Sequence, residues 1–239
     1  MRVGIVIPIY NEEAIIEHSI RTILKYTLEL PYKVTLIAVN DGSKDMTSEI
    51  LELLQTQYTQ SVFHAISYTP NRGYGGAQRA GIAYVVEQGF DYVIFMDSDL
   101  TNHPKYLAQF CAKMGEGWDY IKASRYVEGG VVDGVPLYKQ LISRIGNIAG
   151  RILFDIAVRD VTNGFRAVRS SLFAKMRLEE DGFALILEEL SEAKRLGARF
   201  CEIPYTLTSR SGDVGRSKFG YTLHTCRKYL KHAIRSRSK

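Results

Sequence analysis

Residues 92–99 read YVIFMDSD: an apolar run, Tyr92-Val93-Ile94-Phe95-Met96, that stops at Asp97-Ser98-Asp99. A short, continuously apolar run bounded by a polar turn reads as a buried strand. Strands apolar on both faces belong inside parallel sheets covered by helices on either side. Two carboxylates two residues apart, just past such a strand, can hold a hard divalent cation through oxygen ligands. Acidic pairs in turns are also commonly just solvated, so the pair alone does not decide between the two readings.

The same pattern recurs on the N-terminal side. Val3 to Ile9 is an apolar, β-branched run that ends in a polar turn. Asn11 is expected to cap a helix reaching about Glu29, with Glu12 and Glu13 in its first turn where carboxylates suit the helix dipole. Val34 to Val39 and Val62 to Ser67 read as further strands, the first followed by Asp41-Gly42-Ser43 and a helix near Asp45. Asn71-Arg72-Gly73-Tyr74-Gly75-Gly76 is a glycine-rich turn expected to open a helix to about Gln88. Strands alternating with helices argue for βαβ units and an α/β fold, a mostly parallel central sheet flanked by helices. In such sheets ligands bind outside the carboxyl ends of the strands. The turns at Tyr10-Asn11-Glu12, Asn40-Asp41-Gly42, Asn71 to Gly76 and Asp97 to Asp99 then converge on one rim from separate parts of the chain.

C-terminal to residue 99 the pattern is less regular. A helix from Pro104, a strand near Trp118 to Ser124, a strand over Thr162 to Arg169, a helix over Leu185 to Arg195, a strand over Phe200 to Tyr205 and a helix over Tyr221 to Arg235 are expected. Between them, Pro136 to Ala157 carries Leu137, Leu141, Ile145, Ile148, Ile152 and Ile156 at helical spacing, with Lys139, Arg144 and Arg151 interspersed. An amphipathic basic helix of this kind either lies in a headgroup plane or turns its stripe to the core.

Composition agrees with one folded unit. The 239 residues are 46% hydrophobic and 24% charged, an ordinary globular balance. The expected organisation is a single domain over 1–239, with a ligand-binding half at 1–125, a second half at 126–220 and a basic helix or tail at 221–239. The net charge is +5, and RKYLKHAIRSRSK at Arg227–Lys239 contains no acid. That tail can meet phosphate-rich partners or be a solvated terminus. Cys111, Cys201 and Cys226 lack CxxC spacing, which argues against a zinc site or disulfide framework and for a reducing, cytoplasmic setting. No secretory signal is expected at the N-terminus. No apolar run reaches the roughly 18 to 20 residues that span a bilayer, so membrane contact is expected to be peripheral. Nucleic acid is not an expected partner, because no base-stacking aromatic motif or helix-turn-helix pattern accompanies the basic tail.

Two further motifs bear on chemistry. Asp41 can accept hydrogen bonds from a base or ribose at the sheet edge, or Asp41-Gly42 can be simply a turn. The Asn71–Gly76 glycines let a backbone approach a ligand closely, and the helix start after them favours an anion. No Gly-Lys-Ser/Thr follows, so this is not a Walker loop.

In order, IVIPIYNE, VNDGSKD, NRGYGGA, MDSDLTNHP, ASRYVEGG, DVTNGFRA and SRSGDVGRSK resemble glycosyltransferase family 2. Within it the chain is most similar to the dolichyl-phosphate mannose synthase group of polyprenyl-phosphate hexosyltransferases, over Val3 to about Lys218. The resemblance implies a GT-A fold, a nucleotide-diphosphate sugar donor, and Mg²⁺ or Mn²⁺ at an Asp-x-Asp motif. Asp97 and Asp99 match the metal-binding aspartates, with Ser98 between them on the donor side. Thr101 stands where the synthases commonly carry a Gln that helps hold metal, and its hydroxyl is expected to reach the ion directly or through water. Pro8, Tyr10, Glu12 and Asp41 match donor-binding positions. Arg125 matches an arginine that contacts phosphate, and Lys139 and Ser143 fall where an Arg and a Ser contact the acceptor phosphate. Arg210, Ser217 and Lys218 match a late motif that closes over the substrates, although Ser211–Val214 lengthens its Arg-to-Gly spacing. Glu188 matches an acid after a Gly-Phe pair, here Gly182-Phe183, or is an ordinary helix-surface glutamate. The expected catalytic set is Asp99, Arg125 and Arg210.

The implied reaction is a single displacement with inversion at the anomeric carbon. A sugar hydroxyl acceptor would need a general base, whereas a lipid phosphate is already ionised and needs cations to place it. Arg125, Lys139 and Arg210 suit the phosphate. The best single expectation is mannose transfer from GDP-mannose to a polyprenyl phosphate at the cytoplasmic face of a membrane. The alternative is a saccharide-hydroxyl acceptor in polysaccharide assembly. Without spanning helices, such an enzyme relies on the Pro136–Ala157 stripe and the basic tail, or on small membrane subunits.

Overall fold

The computed structural model describes residues 1–207. The expected helix over Tyr221–Arg235, the basic tail, and Arg210, Ser217 and Lys218 lie outside the described residues.

The N-terminal part alternates as expected: β1 (Arg2–Ile9), α1 (Ile16–Thr27), β2 (Lys33–Asp41), α2 (Thr47–Gln57), β3 (Phe63–Tyr68), α3 (Gly73–Glu87) and β4 (Tyr92–Phe95). A 3-10 turn at Pro104–Tyr106 leads into α4 (Leu107–Gly115), then β5 (Tyr120–Ser124), the short β6 (Val131–Val132) and α5 (Leu137–Phe154). The chain continues through β7 (Arg166–Arg169), α6 (Ser170–Phe173), α7 (Leu185–Arg195), β8 (Phe200–Pro204) and β9 (Thr206–Leu207). Seven strands form one sheet in the order β3-β2-β1-β4-β7-β5-β8, and β6 pairs with β9. Every pairing in the large sheet is parallel except those of β7, which runs antiparallel to β4 and β5.

Alternation along the strands builds a core on each face. Ile5 and Ile7 join the cluster under α1, α2 and α4, while Val6, Ile37 and Val39 point to the cluster under α3 and α7. Each of these side chains is fully buried, which contributes about 1.5–3 kcal/mol apiece. Gly81 of α3 has no Cβ because one would meet the Val6 side chain, so α3 lies directly on β1.

Three local expectations are corrected. Asn11 does not cap α1, which starts at Ile16. It sits at φ +53, gives its N–H to Ser43 Oγ, and accepts the Lys44 N–H at 2.8 Å on its side chain. The carboxylate of Glu13 likewise accepts the Met46 N–H, so these residues fasten the β1 turn to the β2 turn. The strand expected from Thr162 begins only at Arg166. Asp160 and Asn163 side chains capture the N–H groups of Asn163 and Phe165, which folds the preceding residues into a loop. Finally, the glycine-rich run is not a turn before α3, since Gly73, Gly75 and Gly76 lie inside its first helical turns.

Candidate active site

β1, β2 and β4 are parallel neighbours, so their carboxyl ends share one rim. A cleft of about 510 Å³ opens there. Pro8, Tyr10 and Glu12 line it from the end of β1, and Asp41 from the end of β2. Asp97, Ser98, Asp99 and Thr101 line it beyond β4, and Arg125 past β5 and Ser143 of α5 line it as well. Ten of the sequence-predicted residues are thus brought together from five segments. Lys139 lies one turn before Ser143 on α5, and Arg210 and Lys218 fall outside the described residues.

The acidic turn is held from several sides. The Asp97 N–H donates to Asn102 Oδ1 at 3.0 Å, and Leu100 takes a left-handed φ of +58 to let the chain fold back. Tyr205, just past β8, donates to the Thr101 carbonyl at 2.6 Å and accepts from Asn102 Nδ2. Thr101 donates its hydroxyl to Asp99 Oδ1 at 2.6 Å and its backbone N–H to the same oxygen at 3.1 Å. The hydroxyl therefore orients the carboxylate. Two carboxylates suit a hard cation. Among the described residues no third His, Cys, Asp or Glu joins them to complete a cage. That composition fits an ion that takes its remaining ligands from a bound diphosphate and water.

Arg125 meets a buried carboxylate. Its Nε and Nη2 donate to Asp160 at 2.7 and 2.8 Å, its backbone N–H reaches Asp160 at 3.1 Å, and Nη2 also reaches Thr162 Oγ1 at 3.1 Å. Asp160 is fully buried and Arg125 nearly so. Burial raises the Asp160 pKa, but the bonds from Arg125 outweigh it and hold the carboxyl below its ordinary value. Burial likewise opposes the Arg125 charge, and Asp160 more than offsets it. Both groups stay ionised, with the guanidinium presented to the cleft in a fixed orientation. Ser143 accepts from the Tyr126 hydroxyl at 2.8 Å.

Asn71 and Gly73 of the glycine-rich segment line the cleft, and its glycines also permit a close approach within the protein. The Gly75 N–H donates to the Asp181 carbonyl at 2.7 Å, and a Cβ on Gly73, at φ +77, would stand 2.6 Å from the same oxygen. Arg79 fastens this segment through the Glu180 carbonyl and the Asp181 carboxylate. The close backbone approach is thus to residues 180–181, which deliver Phe183 to stack on Tyr74 at 4.4 Å. These two rings form an apolar wall of the cleft. Desolvation, and after it the Asp97 carboxylate, raise the Tyr74 hydroxyl above its ordinary pKa, so it stays protonated. Glu188 is buried and accepts the N–H groups of Glu179 and Glu180 at 3.0 and 2.9 Å, so it is neither an exposed helix glutamate nor a cleft residue.

Sequence reasoning assigned no role to Tyr74, Phe183, Asp160 or Thr162. Each sits in or beside a motif that carried the resemblance, NRGYGGA, Gly182-Phe183 or DVTNGFRA, and that was their only signal.

In Leu137–Phe154 the apolar stripe is not turned to the core. Leu141, Ile145, Ile148 and Ile152 are 60%, 57%, 53% and 63% exposed, whereas Ile156, beyond the helix end, is buried. No helix among the described residues is long and apolar enough to cross a membrane.

The Glycosyl transferase family 2 model matches residues 4–177. A dolichol-phosphate mannosyltransferase from Pyrococcus furiosus is 30% identical over 98% of this chain, which spans 63% of that protein's length. A polyprenol monophosphomannose synthase from Mycolicibacterium smegmatis is 28% identical, covering 91% of this chain and 80% of its own. An undecaprenyl-phosphate mannosyltransferase from Micrococcus luteus is 30% identical, covering 91% and 87%. Among solved structures, Mycobacterium tuberculosis glucosyl-3-phosphoglycerate synthase in complex with Mn²⁺, UDP-glucose and phosphoglyceric acid superposes with a TM-score of 0.67 at 20% identity, over 98% of this chain and 80% of that one. The architecture is accordingly the GT-A fold.

Proposed function

The chain belongs to glycosyl transferase family 2, and on that premise we propose that it is an inverting hexosyltransferase acting on a polyprenyl phosphate. The sugar of this reading is mannose, carried by GDP-mannose, and the site is the cytoplasmic face of a membrane. The names of the relatives, all mannosyltransferases or mannose synthases of lipid phosphates, support it. The observation that carries it is the sharing of one cleft by an acidic rim, Asp97 and Asp99, and an arginine held ionised by Asp160, Arg125.

In this reading Pro8, Tyr10, Glu12 and Asp41 seat the nucleotide at the ends of β1 and β2, with Ser98 beside the diphosphate. Asp97 and Asp99 would hold Mg²⁺ or Mn²⁺, which when bound would neutralise charge on the departing diphosphate. Thr101 keeps Asp99 in position. The Tyr74–Phe183 wall bounds the sugar. Arg125, Lys139 and Ser143 place the acceptor phosphate, one of whose oxygens attacks the anomeric carbon. The carbon–oxygen bond to the diphosphate breaks, and its electron pair leaves with the nucleotide. Positioning two ionised reactants is most of the catalytic task. Arg210 and Lys218 are assigned to the donor by their motif, and 1–239 is read as a single domain.

A phosphate acceptor needs no base, and Asp160, the carboxylate nearest Arg125, is committed to hydrogen bonds rather than poised to take a proton. The four described carboxylates that line the cleft, Glu12, Asp41, Asp97 and Asp99, lie on the donor side. The outward apolar face of α5, with Arg144 and Arg151 exposed and no acid in the helix, matches a lipid surface. The basic tail or small membrane subunits add to that contact.

The test incubates the protein with Mn²⁺, polyprenyl phosphate, an oligosaccharide acceptor and a panel of labelled nucleotide sugars. Lipid-linked label from GDP-mannose is the expected result. Label from another donor corrects the sugar, label on a saccharide hydroxyl favours the polysaccharide reading, and no transfer from any donor overturns the proposal.

A further inference from the structure

Helix α5 is built inside out. Its apolar side chains other than Phe154 face outward, and the seam it turns to the protein runs through Ser143, Asn147, Gly150 and Phe154. Asn147 is 1% exposed, between Ile145 and Ile148 that are more than half exposed. A buried amide in such a place is retained by its hydrogen bonds. Asn147 Oδ1 accepts the Thr162 N–H at 3.2 Å, and its Nδ2 reaches Thr162 Oγ1 at 3.2 Å and the Ser143 carbonyl at 2.8 Å. Thr162 Oγ1 in turn accepts from Arg125 Nη2 at 3.1 Å. Two hydrogen bonds therefore separate the outward-facing helix from the guanidinium.

The flanking contacts leave little play. Ser143 is bonded to Tyr126, the residue after Arg125. A Cβ on Gly150 would stand 2.7 Å from the Val161 side chain, so the helix backbone is pressed onto the residue before Thr162. Positions 143, 147 and 150 thus touch both segments that form the Arg125–Asp160 pair.

We propose that Asn147 is a positioning residue that couples the seating of α5 on a lipid surface to the orientation of Arg125. Asn147 is not among the residues lining the cleft and acts through Thr162. The proposal rests on the reading of Arg125 as the acceptor-phosphate group. When the outward face of α5 is covered by lipid, the helix is held along its length, Asn147 holds Thr162, and the guanidinium stays aimed at the cleft. The acceptor site then forms best where its lipid acceptor resides.

Hydrogen exchange of the full chain, with and without vesicles of phosphatidylglycerol and phosphatidylcholine, tests the coupling without requiring transfer. Vesicles are expected to slow exchange in α5 and also in 123–127 and 158–164, and in Asn147→Ala only in α5. The kinetic counterpart uses a short-chain polyprenyl phosphate. Vesicles are expected to lower its KM about tenfold for the wild type, within the usual range of coupling between sites. In Asn147→Ala that lowering is lost while the KM for the nucleotide sugar is unchanged. A purely structural role would instead depress both. Wild-type protection confined to α5, or none anywhere, overturns the coupling even where the variant fails to fold. Absence of transfer under every condition overturns the underlying reading and leaves the exchange result to judge the coupling.

Discussion

The Thr101 hydroxyl donates to Asp99 Oδ1 at 2.6 Å, and the Thr101 N–H reinforces it at the same oxygen. An outer group that orients a metal-binding carboxylate is commonly worth 10–100-fold in metal affinity or activity. Thr101→Val keeps the shape and removes the donor. Manganese-dependent nucleotide binding, measured by titration calorimetry, is expected to weaken by about tenfold or more, whereas Thr101→Ser retains it. Equal affinity in Thr101→Val would remove Thr101 from the site.

Asp99→Ala tests the rim itself. Loss of a group that stabilises charge on the leaving diphosphate is expected to cut transfer by at least about 10²–10³-fold. Asp99 lies in a turn beyond β4, so the circular dichroism spectrum and melting temperature should stay close to wild type. Retained transfer would count directly against the assignment of Asp97 and Asp99.

Asp160 supplies a pH signature. Its folded pKa lies below the ordinary carboxylate value of about 3.9, because the bonds from Arg125 outweigh burial. The stability it contributes is complete above the unfolded pKa and is lost as pH falls through the lowered folded pKa. Asp160→Asn leaves Arg125 buried without its partner, at a cost of about 3–5 kcal/mol at pH 7. Urea melts should show that deficit at pH 7 and a shrinking one below about pH 4. A deficit independent of pH would mean that the charge pair is not its source.

Lys122, fully buried on β5, gives a pH dependence of the same sign in a higher pH window. Burial pushes its pKa down to about 7, and it donates to the Asn163 carbonyl. Between that value and about 10.4 the unfolded chain holds a proton that the folded chain lacks, so stability rises with pH across the window. Lys122→Met should remove that rise, a difference of a few kcal/mol at most between pH 7 and pH 9.5. Parallel pH profiles for variant and wild type would place the Lys122 pKa near its ordinary value.

Ile148→Glu probes the outward face of α5. The position is 53% exposed, so folding stability should change by no more than about 0.5 kcal/mol. Co-sedimentation with anionic vesicles should fall by about tenfold, as burial of one large aliphatic side chain is replaced by a repelled carboxylate. Undiminished sedimentation would move the lipid contact elsewhere on the protein.

How much of the site was legible depended on how local its signal was. Asp97, Asp99 and Asp41 were readable because each follows an apolar strand, and parallel strands must bring their ends to one rim. Asn11 misled, since its type favours a helix cap, yet Ser43 and Lys44, more than 30 residues away, capture its polar groups instead. The α3 glycines were rightly read as permitting close approach, but the approaching backbone is Glu180–Asp181, more than 100 residues on.

The chain's own pattern of short apolar runs ending in acidic and glycine-rich turns was enough to determine a parallel sheet with a polar rim, because burial periodicity and turn chemistry are properties of neighbouring residues. Only the tertiary structure decided that α5 turns its polar seam inward and its isoleucines outward, and that Arg125 is clasped by Asp160. Those outcomes depend on which surfaces meet across long separations, and a helical stripe has the same spacing whichever side faces the protein.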